Sequence, residues 1–456
     1  MKTKATWGIL CFGLLAAFSA AAAAQDSIYL GHISMADIRN DGKDVLVFRE
    51  GAVAGEPALL NMPLGPGDAV RTSDIRRTEI QFDNGTILRL DYDTELKIET
   101  ILAPSLSSLE NISNVVLTGG RAYIMFTEYD RRELFQVLTP GAAIKMKNHT
   151  VAEVAAAADG STAVRVSKGR VDVLFGPSPK KTDGEKVRSG ESLVVTADGR
   201  LERTAAPAAT EFEAWNEGLN ETFVQTHDGL TPLPKPVQKM TKAVFYFAQR
   251  YSTAYGEWLW DDFLGYVWRP NDNDRRYPWG SWAPYYAGQW ARRDGQMFWV
   301  PQEPWGWVPF HLGVWHWDKT KGWLWIPGSA FAPAWVAWRF YGDRLSWRPW
   351  LLWDWYFADL GMAGWWNDLG FWNMWYGWTS WYGMGCGYYP WGYYYYYPGY
   401  GSGEPGPSSG RTILTWIAKE QLKGKKPSIV PVPKDLRTAY GRLAAAVKKG
   451  DPRVVG

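Results

Sequence analysis

From Ile28 to Leu201 the chain alternates apolar and polar positions in short runs broken by Gly, Asn and Asp. Glu79-Ile80-Gln81-Phe82 and Thr86-Ile87-Leu88-Arg89-Leu90 alternate on either side of Asp83-Asn84-Gly85. Asn and Gly tolerate the positive φ angles of a tight primed turn, so this arrangement predicts a β-hairpin. Similar runs recur at Ala163 to Val166, Arg170 to Phe175 and Ser192 to Thr196, with breaks at Lys168-Gly169 and Asp198-Gly199. Many short strands separated by turns predict an all-β sandwich or roll over 28–201. The period then changes. Over 202–250 we expect a linker with a short helix, in which Phe212, Trp215, Leu219 and Phe223 share one face, followed by the Pro-rich stretch Thr231 to Pro236.

Over 251–350 tryptophan replaces aliphatic residues; 26 of the 29 tryptophans lie between Trp258 and Trp391. Three repeats organise them. Gly256-Glu257-Trp258, Gly288-Gln289-Trp290 and Gly313-Val314-Trp315 each open a unit, and Trp268-Arg269-Pro270, Trp299-Val300-Pro301 and Trp325-Ile326-Pro327 follow. Trp282-Ala283-Pro284, Trp307-Val308-Pro309 and Trp335-Val336-Ala337 close them. The spacing predicts three copies of one small β unit. Residues 351–410 form an aromatic and Gly-rich low-complexity segment. Residues 411–456 form a basic tail in which Leu436, Ala439, Tyr440, Leu443 and Val447 share a helical face.

The first 24 residues combine Lys2 and Lys4, an apolar run from Trp7 to Phe18 and an alanine stretch. That is the pattern of a cleaved secretory signal and predicts a periplasmic or cell-envelope protein. Cleavage removes Cys11 and leaves Cys386 alone, so no intrachain disulfide is expected. With 46% apolar and 21% charged residues the chain can bury a core. Its net charge of +2 shows no nucleic-acid footprint.

The set Gly67-Asp68-x-Val70, Phe82-Asp83-Asn84-Gly85-Thr86-x-Leu88-x-Leu90, Thr94-x-Leu96, Leu117-x-x-Gly120-Arg121, Thr139-Pro140, Val166-x-x-Gly169-x-Val171-x-Val173 and Gly190-Glu191 resembles the FecR-like periplasmic domain. The resemblance implies an all-β envelope module. FecR proteins pass a signal from an outer-membrane receptor to a cytoplasmic sigma factor, and this chain departs from that plan because no cytoplasmic segment or membrane span precedes the β domain. Glu303-Pro304-Trp305-Gly306-Trp307-Val308-Pro309-Phe310-His311 and Pro333-Ala334-Trp335-Val336-Ala337-Trp338 resemble a poorly characterised Trp-rich domain family that follows such domains.

Catalytic chemistry is not expected. No nucleophile elbow, zinc-protease motif or phosphate loop occurs, and no cofactor or metal site is predicted. Among the histidines only His311 and His316 are close, on opposite faces if they lie on a strand. Glu257, Asp261, Asp262 and Glu303 lie among tryptophans, and a glycan hydrolase would need two of them to converge across a sugar bond. The repeated tryptophans read as core. Trp305, Trp307 and His311 fall on one side of a strand and are the candidate ligand-binding residues, a stacking pair for a glycan with an adjacent imidazole. The function expected is therefore a non-enzymatic binding or scaffolding module, whose partner is an envelope protein or a glycan polymer. The alternatives are glycan binding or hydrolysis by the Trp-rich domain and peripheral membrane attachment through Leu369 to Gly403 and the basic tail. No feature sets an oligomeric state.

Overall fold

The computed structural model describes residues 30–37, 39, 41–104, 110–127, 132–175, 184–204, 210–228, 232–271, 282–293, 296–318, 320–341, 344–361 and 432–451. The predicted export signal, Cys386, nearly all of the low-complexity segment and the start of the basic tail lie outside them. The described part is mainly β, as the alternation predicts.

Seventeen strands between Gly31 and Thr204 form two sheets that share one long strand, Asn111–Phe126. Its first half pairs with Glu95–Pro104 and, in parallel, with Glu133–Leu138. Its second half pairs with Ile87–Leu90 and Thr150–Ala156. The strand changes sheets at Gly119-Gly120. Gly120 has φ of 88°, and a Cβ there would lie 2.4 Å from Thr94 Oγ1, so the crossing needs glycine. Alternation points Ile80, Phe82, Leu88, Leu90, Val115, Leu117, Val171 and Val173 into one aliphatic core.

The hairpin Thr78–Phe82 with Ile87–Leu90 sets Ile80 opposite Leu88. Its first strand is buried on both faces, Glu79 and Gln81 included. Part of the cover is the helix Glu211–His227, whose N-cap Thr210 accepts from the Glu213 amide at 3.1 Å. The stripe Phe212, Trp215, Leu219 and Phe223 is covered only in part: Trp215 and Leu219 are half-buried and its C-terminal end is open. Phe212 and Asn216 are buried, whereas Phe223 is 41% exposed. The sheet presents Arg89, which donates to Asn216 O at 3.1 Å and Asn220 Oδ1 at 2.9 Å, so amide acceptors one turn apart decide the orientation.

The second domain has four hairpins: Gly256–Asp261 with Gly265–Pro270, Gly288–Arg293 with Gln296–Pro301, Leu312–Asp318 with Gly322–Phe331, and Val336–Tyr341 with Arg344–Pro349. Trp335-Val336-Ala337, which the repeat assigned to the end of a third unit, opens the fourth. In every hairpin the register sets the first tryptophan opposite a later one: Trp258 and Trp268, Trp290 and Trp299, Trp315 and Trp325, Trp338 and Trp347. In the first two hairpins the glycine two residues before that first tryptophan has a steric origin. A Cβ on Gly256 would lie 2.6 Å from the Trp268 indole, and one on Gly288 2.6 Å from the Trp299 indole. The partner ring rests on the glycine backbone.

Trp268, Trp299, Trp315 and Trp325 are fully buried. Trp268 Nε1 donates to Ser252 O and Trp325 Nε1 to Leu312 O, each at 2.7 Å, which satisfies their polar edges. The first and third hairpins join into one sheet at Trp268 and Trp325, while Trp347 of the fourth packs edge-on against Trp290 of the second, ring centroids 5.5 Å apart. The helical stretch from Lys242 to Tyr255 contributes Val244, Phe247 and Ala248 to the buried residues, so the boundary drawn at residue 250 falls inside it.

Leu352–Asp359 is a helix that buries Leu352 and Trp355 and pairs Asp354 with the fully buried Arg348 at 2.8 Å. The amphipathic helix of the tail forms at Arg437–Lys448. Its apolar face is occupied: Leu436, Ala439 and Leu443 pack into the tryptophan core, and Tyr440 donates to Asp359. That face is not available to a lipid surface. No described helix is long and apolar enough to cross a membrane.

Candidate functional site: a buried polar junction between the domains

The hairpin turn Asp83-Asn84-Gly85 is where the second domain docks. Asp83 Oδ2 accepts from the Leu30 amide at 2.9 Å and Oδ1 from Trp307 Nε1 at 2.8 Å. Gly85, at φ of 87°, lies under the Tyr246 ring; a Cβ would meet that ring at 2.3 Å. The His32 imidazole stacks on the Trp307 indole at 4.8 Å and 14° between planes, and His311 packs against the same indole at 4.4 Å.

Two further contacts fix the orientation. Asn61, fully buried in the left-handed region at φ of 61°, donates through Nδ2 to Pro301 O at 2.9 Å and Glu303 O at 2.8 Å. Asp68 binds Arg49 at 3.0 Å within its own domain and Arg293 at 3.1 Å across the junction. On the outer face of the hairpin, Glu79 receives Arg89 at 2.7 Å, Ser34 at 2.7 Å and the Arg250 guanidinium, while Arg250 also donates to Gln81 at 3.1 Å. Lys242 pairs with Glu133.

These contacts set the charge states. Burial would push the Glu79 carboxyl up, but Arg250 and Arg89 outweigh it and hold it at about 2. Asp83 has only neutral donors against its burial and is raised to about 6. Glu303 accepts from Trp282 Nε1 at 2.7 Å, its other oxygen is buried without a partner, and burial raises it to about 7. Burial lowers His32 to about 3, with Arg250 adding to the effect, and lowers His311 to about 4. Both imidazoles are neutral inside the protein, and His32 Nδ1 and His311 Nε2 have no hydrogen-bond partner.

The three candidate ligand residues are therefore internal. Trp305 is 6% exposed, Trp307 3% and His311 0%, and Trp307–His311 is a short helix, not a strand. The expected exposed stacking pair does not form. Trp305 packs edge-on against Trp268 and stacks on Phe310, while Trp307 seals the domain junction. His311 Nδ1 lies 3.0 Å from Ala332 O, and His316 sits on the following strand, Leu312–Asp318. The periodicity could not show that a Gly-Trp-Val-Pro turn starts a helix whose indole reaches into another domain.

The four carboxylates each have a local partner. Glu257 pairs with Arg269, Asp261 with Lys321 at 2.6 Å, Asp262 accepts from Trp260 Nε1 at 3.2 Å, and Glu303 is held by Trp282. Among the described residues no group of three or more His, Cys, Asp or Glu is placed to hold a metal. Trp260 is largely exposed, at 56%, its ring packed edge-on against Tyr266 at 5.1 Å.

Residues 68–172, which contain the docking turn and Asp68, match the family described as FecR protein. Over that span the first domain is similar to FecR proteins. Residues 249–354, from the helical stretch through the fourth hairpin, match a family of unknown function, DUF6600. No curated protein matches the chain. Two crystal structures of a provisionally assigned anti-sigma factor from Parabacteroides distasonis are similar to it. One is 20% identical, covers 35% of this chain and 73% of its own, and gives a TM-score of 0.27. The other is 18% identical, covers 42% and 94%, and gives 0.27. Asp68, Asp83 and Gly85, inside the span matched to FecR, are among the residues that meet the span matched to DUF6600.

Proposed function

We propose that this chain is an exported, non-enzymatic module of the cell envelope that binds or scaffolds a partner, with its FecR and Trp-rich domains acting as one body. The observation that carries this reading is the Asp83-Asn84-Gly85 turn closed under Trp307 and Tyr246. Two domains joined only by a flexible linker would move independently. Here buried, directional contacts at Asn61, Asp68, Glu79 and Asp83 allow one relative orientation, so load or ligand on one domain reaches the other. The tryptophans build this body, and the carboxylates steady its turns and core.

The test uses the mature chain from Gln25. Far-UV circular dichroism, dominated by the FecR strands, and tryptophan fluorescence, dominated by the second domain, are expected to report one coincident unfolding transition. Asp83→Ala with Asn61→Ala is expected to split it and to weaken retention on purified peptidoglycan or outer-membrane vesicles, whichever holds the wild type. Separate transitions in the wild type, or retention indifferent to the split, would overturn the reading.

A second reading is glycan stacking, and the exposed, hydrogen-bonded Trp260 favours it. It moves the glycan contact from Trp305 and Trp307 to the tip of the first hairpin. Loss of peptidoglycan retention in Trp260→Ala, with the unfolding transition unchanged, would support it, and unchanged retention would remove it.

A further inference from the structure

At one end of the FecR domain three connections meet: Lys147-Asn148 after the strand Ala142–Met146, Gly169 before Arg170–Phe175, and Ser189 after Gly184–Arg188. Together they line an open concavity of about 560 Å³ with Lys147, Asn148, Arg170 and Arg188 on its walls. Arg170 stands directly opposite Arg188 in the antiparallel ladder. Side chains so placed project to the same side about 5 Å apart, where like charges repel. Both are exposed, and neither side chain has an ion-pair partner among the described residues. One row on, Lys145, Asp172 and Lys186 lie in register on the same outer face, and the Glu191 carboxylate accepts from the Arg188 amide at 2.8 Å, so the cations outnumber the carboxylates around them. Lys147 pairs with Glu110 at the rim. The inner face of the same strands is ordinary core, with Ile144, Val171, Val173 and Val187 buried.

Packing does not require two facing arginines on an outer surface. A small, doubly charged oxyanion between them turns the repulsion into attraction. We propose that this concavity binds a phosphoryl group. Two guanidinium forks offer more parallel donors than one carboxylate can accept, whereas a phosphoryl group carries about two charges on three terminal oxygens and can engage both. Lys147, neutralised by Glu110, borders the concavity and leaves the two arginines as its uncompensated cations. The phosphoryl group could arrive as a free or glycan-borne phosphate or as an anionic lipid headgroup, and the assay separates these sources.

The mature chain is titrated with inorganic pyrophosphate by calorimetry, and is floated with vesicles of phosphatidylcholine alone or containing phosphatidic acid, whose headgroup is a phosphate monoester. Arg170→Gln with Arg188→Gln is compared with Arg200→Gln, an exposed arginine that pairs with Asp198 on another turn. The double variant is expected to lose at least tenfold in affinity while Arg200→Gln binds as the wild type does. Without ligand the double variant is expected to melt at or above the wild-type temperature, because the facing charges are gone, which separates lost binding from lost folding. Pyrophosphate binding that disappears in the double variant supports a soluble or glycan-borne source, and vesicle binding alone that disappears supports a lipid headgroup. No binding to either probe, or binding equal in the double variant and Arg200→Gln, overturns the proposal.

Discussion

Glu303→Gln is expected to stabilise the protein at alkaline pH and to do so less and less as the pH falls. The Glu303 carboxyl is buried, with one oxygen on Trp282 Nε1 at 2.7 Å and the other unpartnered. Its value of about 7 in the folded protein lies above the ordinary 4.5. A carboxyl raised on folding contributes stability that is full below 4.5 and lost as pH rises through 7. At 1.36 kcal/mol per pH unit, ionising it in place costs about 3 kcal/mol by pH 8. Glutamine keeps the acceptor for Trp282 and places a neutral amide NH2 where the unpartnered oxygen lies, so it mimics the protonated acid. Any packing penalty of the amide is independent of pH, and the slope carries the information. Guanidinium unfolding followed by tryptophan fluorescence from pH 4.5 to 8 measures it. The difference between Glu303→Gln and wild type is expected to grow by about 3 kcal/mol across that range. A constant difference would refute the assignment of a buried, near-neutral-titrating Glu303.

His32→Gln tests the opposite sign: His32 is lowered to about 3, so its contribution is present above 6.5 and is lost on acidification, by about 2 kcal/mol at pH 5, and the variant is expected to remove that loss in the same unfolding series. Trp307→Phe removes the donor to Asp83 and is expected to cost about 1–3 kcal/mol, read as a lowered thermal midpoint. Gly288→Ala places a Cβ 2.6 Å from the buried Trp299 indole, which has no room to shift, and is expected to cost about 1–3 kcal/mol; an unchanged midpoint would refute the steric origin of the Gly-x-Trp repeat. Leu443→Asp puts a charge on the buried face of the tail helix, and limited proteolysis is expected to remove the tail early in the variant and late in the wild type.

The alternation of apolar and polar residues by itself determined the β character of the first domain, the hairpin at Asn84-Gly85 and the aliphatic core. These rest on contacts between neighbours in a strand and across a tight turn, where sequence spacing is also spatial spacing. The tryptophan repeat likewise announced a small β unit, since Gly-x-Trp and Trp-x-Pro recur at the distance one hairpin needs. It did not announce the fourth hairpin, because Val336 stands where the other openings have glycine and the repeat loses its marker there.

What only the tertiary structure decided is which residues face another domain. Glu79 and Gln81 alternate as solvent positions do, yet partners from distant parts of the chain bury them, Arg250 among them. Trp305, Trp307 and His311 read as an exposed trio by strand period, and a helical turn with an acceptor at Asp83, 224 residues away, turned them inward. A buried charge or indole is paired by geometry across the whole fold, and no local period encodes a partner that far off. The same holds for the facing arginines: Arg170 and Arg188 are unremarkable in sequence, and only the ladder sets them side by side.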